Sequence, residues 1–276
     1  MIGQMLSVYS ALAHVAGLTP GGISMTDTVL YSRTGHVGRL VLNNPERHNS
    51  LGRAQLEALR GYLQDIAGDR QVRVLVVTAA GDRTFCAGAS LQELVAGQIS
   101  GDSFQAVTDQ LASLAIPTLC ALNGSVFGGG VELALSCDFR IGVEGSRMRV
   151  PAAAIGLCYP VSGIRRFAER LGVTLAKRIL VACEEFDAEA MLESGFLDHL
   201  VLPAQLRDAT DDLARQIGAL APLAVRSMKH ILQQAAGAGI DPLDAQQRVE
   251  LCQNSEDLQE GFAAQREQRQ PRFKGR

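Results

Sequence analysis

One stretch, residues 121–138 (ALNGSVFGGGVELALSCD), constrains this chain more than any other. An apolar run over 118–122 reads as a strand and leads into Asn123-Gly124. Three consecutive glycines, Gly128, Gly129 and Gly130, then precede small and apolar residues of helical character. Glycines remove every Cβ where extended chain becomes helix, so a ligand can approach the main chain closely. The first N–H groups of a helix have no internal partner and stand at the positive end of its dipole. Glu132 falls on the first turn of that helix. Backbone donors beside a carboxylate can hold a developing oxyanion and move a proton next to it, which points to chemistry on a carbonyl compound.

Plainer readings of the same residues stay open. A carboxylate in a first helical turn is favoured by the dipole alone, by roughly 0.3–1 kcal/mol. Against that, the neighbours Val131, Leu133, Ala134 and Leu135 are apolar, and a carboxylate held among them has a raised pKa suited to proton transfer. A second segment, Cys86-Ala87-Gly88-Ala89, also ends an extended run in small residues. One N–H from each segment could clamp a single oxygen, and two ordinary tight turns would use the same residue types. Tyr159, within 156–163, is either a core tyrosine or a hydroxyl aimed into a substrate pocket. Among the five histidines only His48, in the polar turn 43–50, has a ligand role open to it, and a solvated loop histidine looks the same. No G-x-S-x-G elbow, P-loop or G-x-G-x-x-G fingerprint is present.

Composition narrows the partners. The net charge of -3 gives no electrostatic footing for nucleic acid or an acidic surface. Six cysteines are scattered without a CxxC or metal-ligand spacing, so no metal is expected and a reducing, cytoplasmic setting fits. No apolar run reaches membrane-spanning length. Residues 1–25 read as an extension outside the core, with a short helix over 5–16. The first 24 residues carry no Lys or Arg, unlike the basic start of a secretory signal. Met25 stands just before the regular pattern and is an alternative start.

From 26 the chain is orderly. Strands are expected at 29–32 and 36–42 around Thr34-Gly35, then at 73–78, 118–122, 139–143, 148–150 and 197–202. Helices are expected at 51–66, 91–95, 104–115, 161–171, 175–183 and 188–195, and after Pro203 at 204–220, 222–236, 242–252 and 255–268. Strands alternate with helices early and helices crowd the last third. The fold class is therefore α/β, with a helical C-terminal region.

Taken together these segments resemble the crotonase superfamily, the enoyl-CoA hydratase/isomerase family. The matching pieces are Asn43-Asn44-Pro45-Glu46-Arg47-His48-Asn49-Ser50-Leu51, Phe85-Cys86-Ala87-Gly88-Ala89, and Pro117 through Asn123-Gly124 to Gly128-Gly129-Gly130-Val131-Glu132-Leu133-Ala134. Cys137-Asp138, Ile155-Gly156-Leu157, the run 190–201, and Glu260-Gly261-Phe262 with Pro271-Arg272-Phe273 complete the pattern. The resemblance implies a crotonase-like spiral of ββα units over 26–203 and a helical oligomerisation region over 204–276, in a homotrimer or a dimer of trimers. It implies an acyl-CoA thioester substrate, with coenzyme A as part of the substrate and no separate cofactor. By match of motif, the amides of Ala87 and Gly129 form the oxyanion hole and Glu132 is the acid–base. Coenzyme A lies along the 43–50 turn and the 85–91 segment, against Arg47, His48, Cys86, Ala89, Leu91 and Gly128. The basic tail, Arg272, Lys274 and Arg276, meets its phosphates in the same or a neighbouring subunit.

Two departures from the family pattern bear on the reaction. Its hydratases use two glutamates, and the second normally follows the proline of a Pro-Glu pair. Here that pair reads Pro151-Ala152. The usual Ala-Gly-Ala-Asp reads Ala87-Gly88-Ala89-Ser90. Around the pocket the pattern is similar to methylmalonyl-CoA decarboxylases, which keep the first glutamate, lack the second and carry a tyrosine placed as Tyr159 is. Three outcomes stand: decarboxylation of a methylmalonyl-CoA-like thioester, hydration or isomerisation with Glu132 alone, and acyl-CoA binding without chemistry.

Overall fold

The computed structural model describes residues 27–237 and 239–276. The helix expected over 5–16 and the alternative start at Met25 lie outside the described residues. In chain order the strands are β1 (Val29–Thr34), β2 (Val37–Leu42), β3 (Val74–Ala79), β4 (Thr84–Cys86), β5 (Thr118–Leu122), β6 (Ser125–Phe127), β7 (Phe139–Val143), β8 (Arg147–Arg149), β9 (Glu185–Asp187) and β10 (His199–Val201). The first helices are α1 (Arg53–Gly68), α2 (Leu91–Val95), α3 (Gly101–Ala112), α4 (Gly129–Leu135), α5 (Val161–Leu180) and α6 (Ala188–Glu193). After β10 come α7 (Leu206–Gly218), α8 (Pro222–Ala236), α9 (Pro242–Gln253) and α10 (Glu256–Arg266).

The larger sheet runs β1-β2-β3-β5-β7-β10. Its β1–β2 hairpin is antiparallel and every later pairing is parallel. Residues of β3 are buried throughout because both faces of the sheet are covered. Leu75 and Val77 point into the main core with Leu40, Leu42, Cys120 and Leu122. Val74 and Val76 point the other way and meet Leu119, Ile141, Val143 and, from α7, Leu206 and Ala214. The boundary expected at 203 therefore runs through a packed core, since α7 belongs to the sheet it covers.

The smaller sheet, β4-β6-β8-β9, was not legible as a sheet. Its strands have three residues each, too few to display a two-residue alternation. α5 contains the two helices expected at 161–171 and 175–183, joined at Gly172, which leaves the helical region with φ 75° and ψ 156°. The C-terminal helices attach at the opening end of β5, where Lys229 Nζ donates to the Ile116 carbonyl at 2.7 Å and to Asp138 at 2.6 Å. The tail closes onto the same end of the sheet: Arg73, just before β3, donates to the Phe273 carbonyl at 2.8 Å. None of the described helices is long and apolar enough to cross a membrane.

Candidate functional site

Three strand ends assemble the site. β4, β6 and β8 are parallel neighbours in that order, so the segments leaving their C-terminal ends, 87–89, 128–130 and 150–152, lie side by side. Gly88 turns the chain at φ +87°, and a Cβ there would stand 2.5 Å from the Gly129 nitrogen. At Gly130 a Cβ would lie 2.4 Å from the Cys86 carbonyl oxygen. The segments touch main chain to main chain, a contact that any side chain at these positions would force apart.

Which amides are free differs from the sequence expectation. The Ala87 N–H donates to the His48 carbonyl at 3.0 Å, so it is not available to a ligand. The cause is the 43–50 turn. His48 and Asn49 both take the left-handed conformation, at φ 52° and 53°, and fold the turn back along β4. Asn49 locks it there through its side-chain N–H bonds to Ala80 at 3.0 Å and Thr84 at 2.8 Å. One residue pair further on, Leu51 donates to the Gly88 carbonyl and accepts from the Ser90 N–H. Alternate residues of an extended chain face opposite edges, so this bridge turns the Ala89 N–H away from Leu51. Among the described residues neither the Ala89 N–H nor the Gly129 N–H has an acceptor. The unengaged donors on the two touching segments are Ala89 and Gly129, and Ala87 is replaced in that pair.

Glu132, on the first turn of α4, is 1% exposed. Its Oε1 accepts from the Thr108 hydroxyl at 3.0 Å and from Arg166 Nη1 at 2.7 Å. The other guanidinium nitrogen of Arg166 binds Asp109. Burial pushes the Glu132 carboxyl above its ordinary pKa, while the Arg166 guanidinium and the Thr108 and Tyr159 hydroxyls draw it back. The Tyr159 hydroxyl lies beside this carboxylate. Burial first, then the Glu132 charge, holds Tyr159 well above the usual phenol range, so it stays a neutral O–H. Its ring packs edge-on against Phe167, centroids 5.8 Å apart. Gly163 leaves no room for a Cβ, which would lie 2.8 Å from that ring and 3.0 Å from Glu132 Oε2.

Ala152 is buried and presents only a methyl group. With Tyr159, Leu157 and Ile164 it lines an apolar cleft of about 370 Å³. Cys86 is fully buried, its sulfur accepts the Gly88 N–H at 3.3 Å, and burial pushes its thiol up to about 12. It is therefore a packing residue of the turn and not a nucleophile. Arg47 and His48 are exposed on the turn beside β4, and Leu91 is exposed at the start of α2, just past Ala89. The Gly128 N–H is spent on the Arg149 carbonyl at 2.9 Å, which ties the glycine turn to β8. Lys274 is not brought to this site within the chain. Its amide is held by Asp257 at 2.7 Å, and the tail is tied to Arg73, just ahead of β3 in the larger sheet. Among the described residues no group of His, Cys, Asp and Glu could hold a metal ion.

Thr108, Asp109 and Arg166 are the site residues that sequence reasoning missed. Arg166 left one trace: it shares the buried stripe of α5 with Gly163 and Phe167, at helical spacing. An arginine on an apolar stripe calls for a buried partner. Thr108 and Asp109 left none.

The candidate site thus consists of two unengaged main-chain donors on neighbouring segments, Ala89 and Gly129, a buried carboxylate, Glu132, on the first turn of α4, and the Tyr159 hydroxyl beside it. The family model described as enoyl-CoA hydratase/isomerase matches residues 32–276, and the chain belongs to that family, within the crotonase superfamily. It is 28% identical over 245 residues to the short-chain-enoyl-CoA hydratase of Clostridium acetobutylicum, covering 86% of this chain and 94% of that protein. It is 29% identical over 249 residues to the mitochondrial methylglutaconyl-CoA hydratase of Rattus norvegicus, covering 86% and 78%. The crystal structure of an enoyl-CoA hydratase from Bacillus anthracis superposes with a TM-score of 0.85 at 29% identity, covering 90% of this chain and all of that one.

Proposed function

We propose that the chain is an enzyme acting on an acyl-coenzyme A thioester, with the thioester oxygen between the N–H groups of Ala89 and Gly129. Charge developing on that oxygen as an enolate forms is stabilised by two fixed donors that need no reorganisation. Coenzyme A follows the 43–50 turn and the 85–91 segment. The substrate is a 2-carboxyacyl-CoA, and the reaction is its decarboxylation. The bond between the α-carbon and the carboxylate breaks, its electron pair moves into the enolate, carbon dioxide leaves, and the α-carbon takes up a proton. No base is required. Tyr159, kept neutral with its O–H directed to Glu132, stands beside the α-carbon; once carbon dioxide has left, it passes that proton to the carbanionic carbon and is reprotonated from solvent. Glu132 orients that hydroxyl.

The observation that carries this reading is Ala152. The position from which a second carboxylate would reach the α-carbon holds a buried methyl at the edge of an apolar cleft. An apolar wall favours loss of a charged carboxylate as neutral carbon dioxide. The names of the relatives favour a second reading, addition of water to an enoyl-CoA with Glu132 as the sole carboxylate. The two are separated by offering purified protein a panel of 2-carboxyacyl-CoA and enoyl-CoA thioesters, following carbon dioxide release and loss of the conjugated double bond. Carbon dioxide release is the expected result. Hydration alone transfers the function to the second reading. Tight binding of both panels without turnover leaves an acyl-CoA-binding protein.

In the same reading the chain works as a homotrimer or a pair of trimers. The exposed apolar side chains Val161 and Val173 on α5, Val181 just after it, and Leu232 and Leu243 on α8 and α9 support this. Six free cysteines fit the reducing cytoplasm.

A further inference from the structure

We propose that Arg166 is a positioning residue that fixes Glu132 in its charged form, with Asp109 on the far side of the guanidinium as a counterweight. The inference deepens the reading above and rests on it for its kinetic consequence alone.

The geometry is a chain of three charges. Arg166 is about nine-tenths buried and reaches Glu132 at 2.7 Å with one nitrogen and Asp109 with the other. The Glu132 side chain is 1% exposed and the Asp109 side chain 51% exposed, so the chain runs from the site to solvent. An isolated carboxylate as buried as Glu132 would take up a proton instead of remaining charged. A guanidinium cannot give up its own proton at any ordinary pH, so its charge is permanent.

Among the described residues, these groups face Glu132. Thr108 and Asp109 come from α3, Tyr159 from the segment before α5, and Arg166 from α5 itself; the Cys86 thiol lies beyond Tyr159. Arg166 is the single cation among them and Asp109 the single other anion. Glu132 in its charged form only accepts hydrogen bonds, from Thr108, Arg166 and Tyr159. The proton that reaches the substrate then belongs to the tyrosine hydroxyl, and Arg166 makes that assignment without touching substrate.

Opposite charges on the two sides of the same carboxylate give tests of opposite sign. Arg166→Gln leaves burial unopposed and raises the proton affinity of Glu132. Asp109→Asn removes a repelling anion, frees the full guanidinium charge for Glu132, and lowers it. Arg166→Lys retains the charge and keeps Glu132 close to its wild-type behaviour. The titration is read directly by carbon-13 NMR of protein labelled at the glutamate side-chain carboxyls, with the Glu132 signal identified by its absence in Glu132→Gln. The midpoint should rise by about one pH unit or more in Arg166→Gln, a tenfold change in proton affinity. It should fall in Asp109→Asn.

A midpoint that stays put in folded Arg166→Gln, or that rises in Asp109→Asn, overturns the proposal. Should Arg166→Gln fail to fold, Asp109→Asn decides alone, since its side chain is half in solvent: a fall supports the proposal and no change defeats it. The acid limb of the pH–rate profile moves with the NMR midpoint wherever turnover exists. NMR shifts of the stated signs without turnover on any thioester uphold the role of Arg166 and defeat the enzymatic reading.

Discussion

Replacing Glu132 by glutamine separates what the site does from what holds it together. Glutamine keeps the shape of the side chain and an oxygen able to accept from Thr108 and Arg166, and it removes the negative charge. Two large terms then disappear together. Burying a carboxylate this deeply costs several kcal/mol of lost hydration. A guanidinium with a nitrogen 2.7 Å from it, its delocalised charge centred about 4 Å away, returns about 4 kcal/mol at the effective dielectric of a protein site. The raised pKa of Glu132 shows that burial is the larger of the two. A carboxyl whose pKa rises on folding contributes stability that is fully present below its unfolded pKa and is lost as pH rises through its folded pKa. Wherever the wild-type carboxyl is charged that contribution is lost, and Glu132→Gln retains it by holding the neutral form permanently. The variant should therefore melt at or above the wild-type temperature at neutral pH, with the gap closing as acid protonates Glu132 in the wild type. Turnover should meanwhile fall by about 10²-fold or more. Scanning calorimetry across a pH series, paired with the thioester assay, reads both. A fall in melting temperature beyond about 2 °C at neutral pH, roughly 1 kcal/mol for a chain of this size, means that the ion pair outweighs burial and refutes the sign of this reasoning.

Three further outcomes are expected. Tyr159→Phe keeps the ring against Phe167 and loses the hydroxyl, so it should unfold within about 1 kcal/mol of wild type while losing about 10²-fold or more in rate; an unchanged rate would remove Tyr159 from the chemistry. Gly130→Ala sets a methyl 2.4 Å from the Cys86 carbonyl oxygen, which neither backbone can yield to cheaply. Denaturant unfolding should show a loss of about 1–3 kcal/mol, together with loss of turnover, and a variant of full stability and activity would contradict the main-chain contact. Brief treatment of native protein with a maleimide, mapped by mass spectrometry, should label exposed Cys158 and spare Cys86, whose thiol is buried and pushed up to about 12; labelling of Cys86 before unfolding would show that the 85–89 turn opens.

Local signals carried the frame of the site. The glycine run predicted the strand-to-helix turn where α4 begins, β3 was readable as a strand, and Glu132 stood out as an acid among apolar neighbours. The misassigned donor shows where such signals stop. Ala87 and Ala89 are identical in type and two residues apart, and both precede or follow the same glycine. Only the returning 43–50 turn, which captures the Ala87 N–H, distinguishes them, and that is a long-range contact. Arg166 and Thr108 were hidden for a similar reason: they reach Glu132 from 34 and 24 residues away in the chain. Lys274 fits a phosphate-binding tail by composition, yet Asp257 and Arg73 hold that tail just ahead of β3 in the larger sheet. Of the three-residue strands of the smaller sheet only the one at 148–150 was expected from its own sequence; the pairing that joins the four is a long-range contact.

The unengaged donors at 89 and 129 are main-chain groups, and this has a consequence for how such a chain can change. No side-chain replacement deletes a backbone amide, short of introducing proline. Substitutions at 132, 152, 159 and 166, which reach the site from separate segments, alter charge, proton supply and polarity around the bound oxygen while those donors persist. Single substitutions, such as Ala152→Glu, can therefore sample a different reaction without first surrendering the ability to polarise a carbonyl. The part of the site most needed for any activity is the part least exposed to mutation.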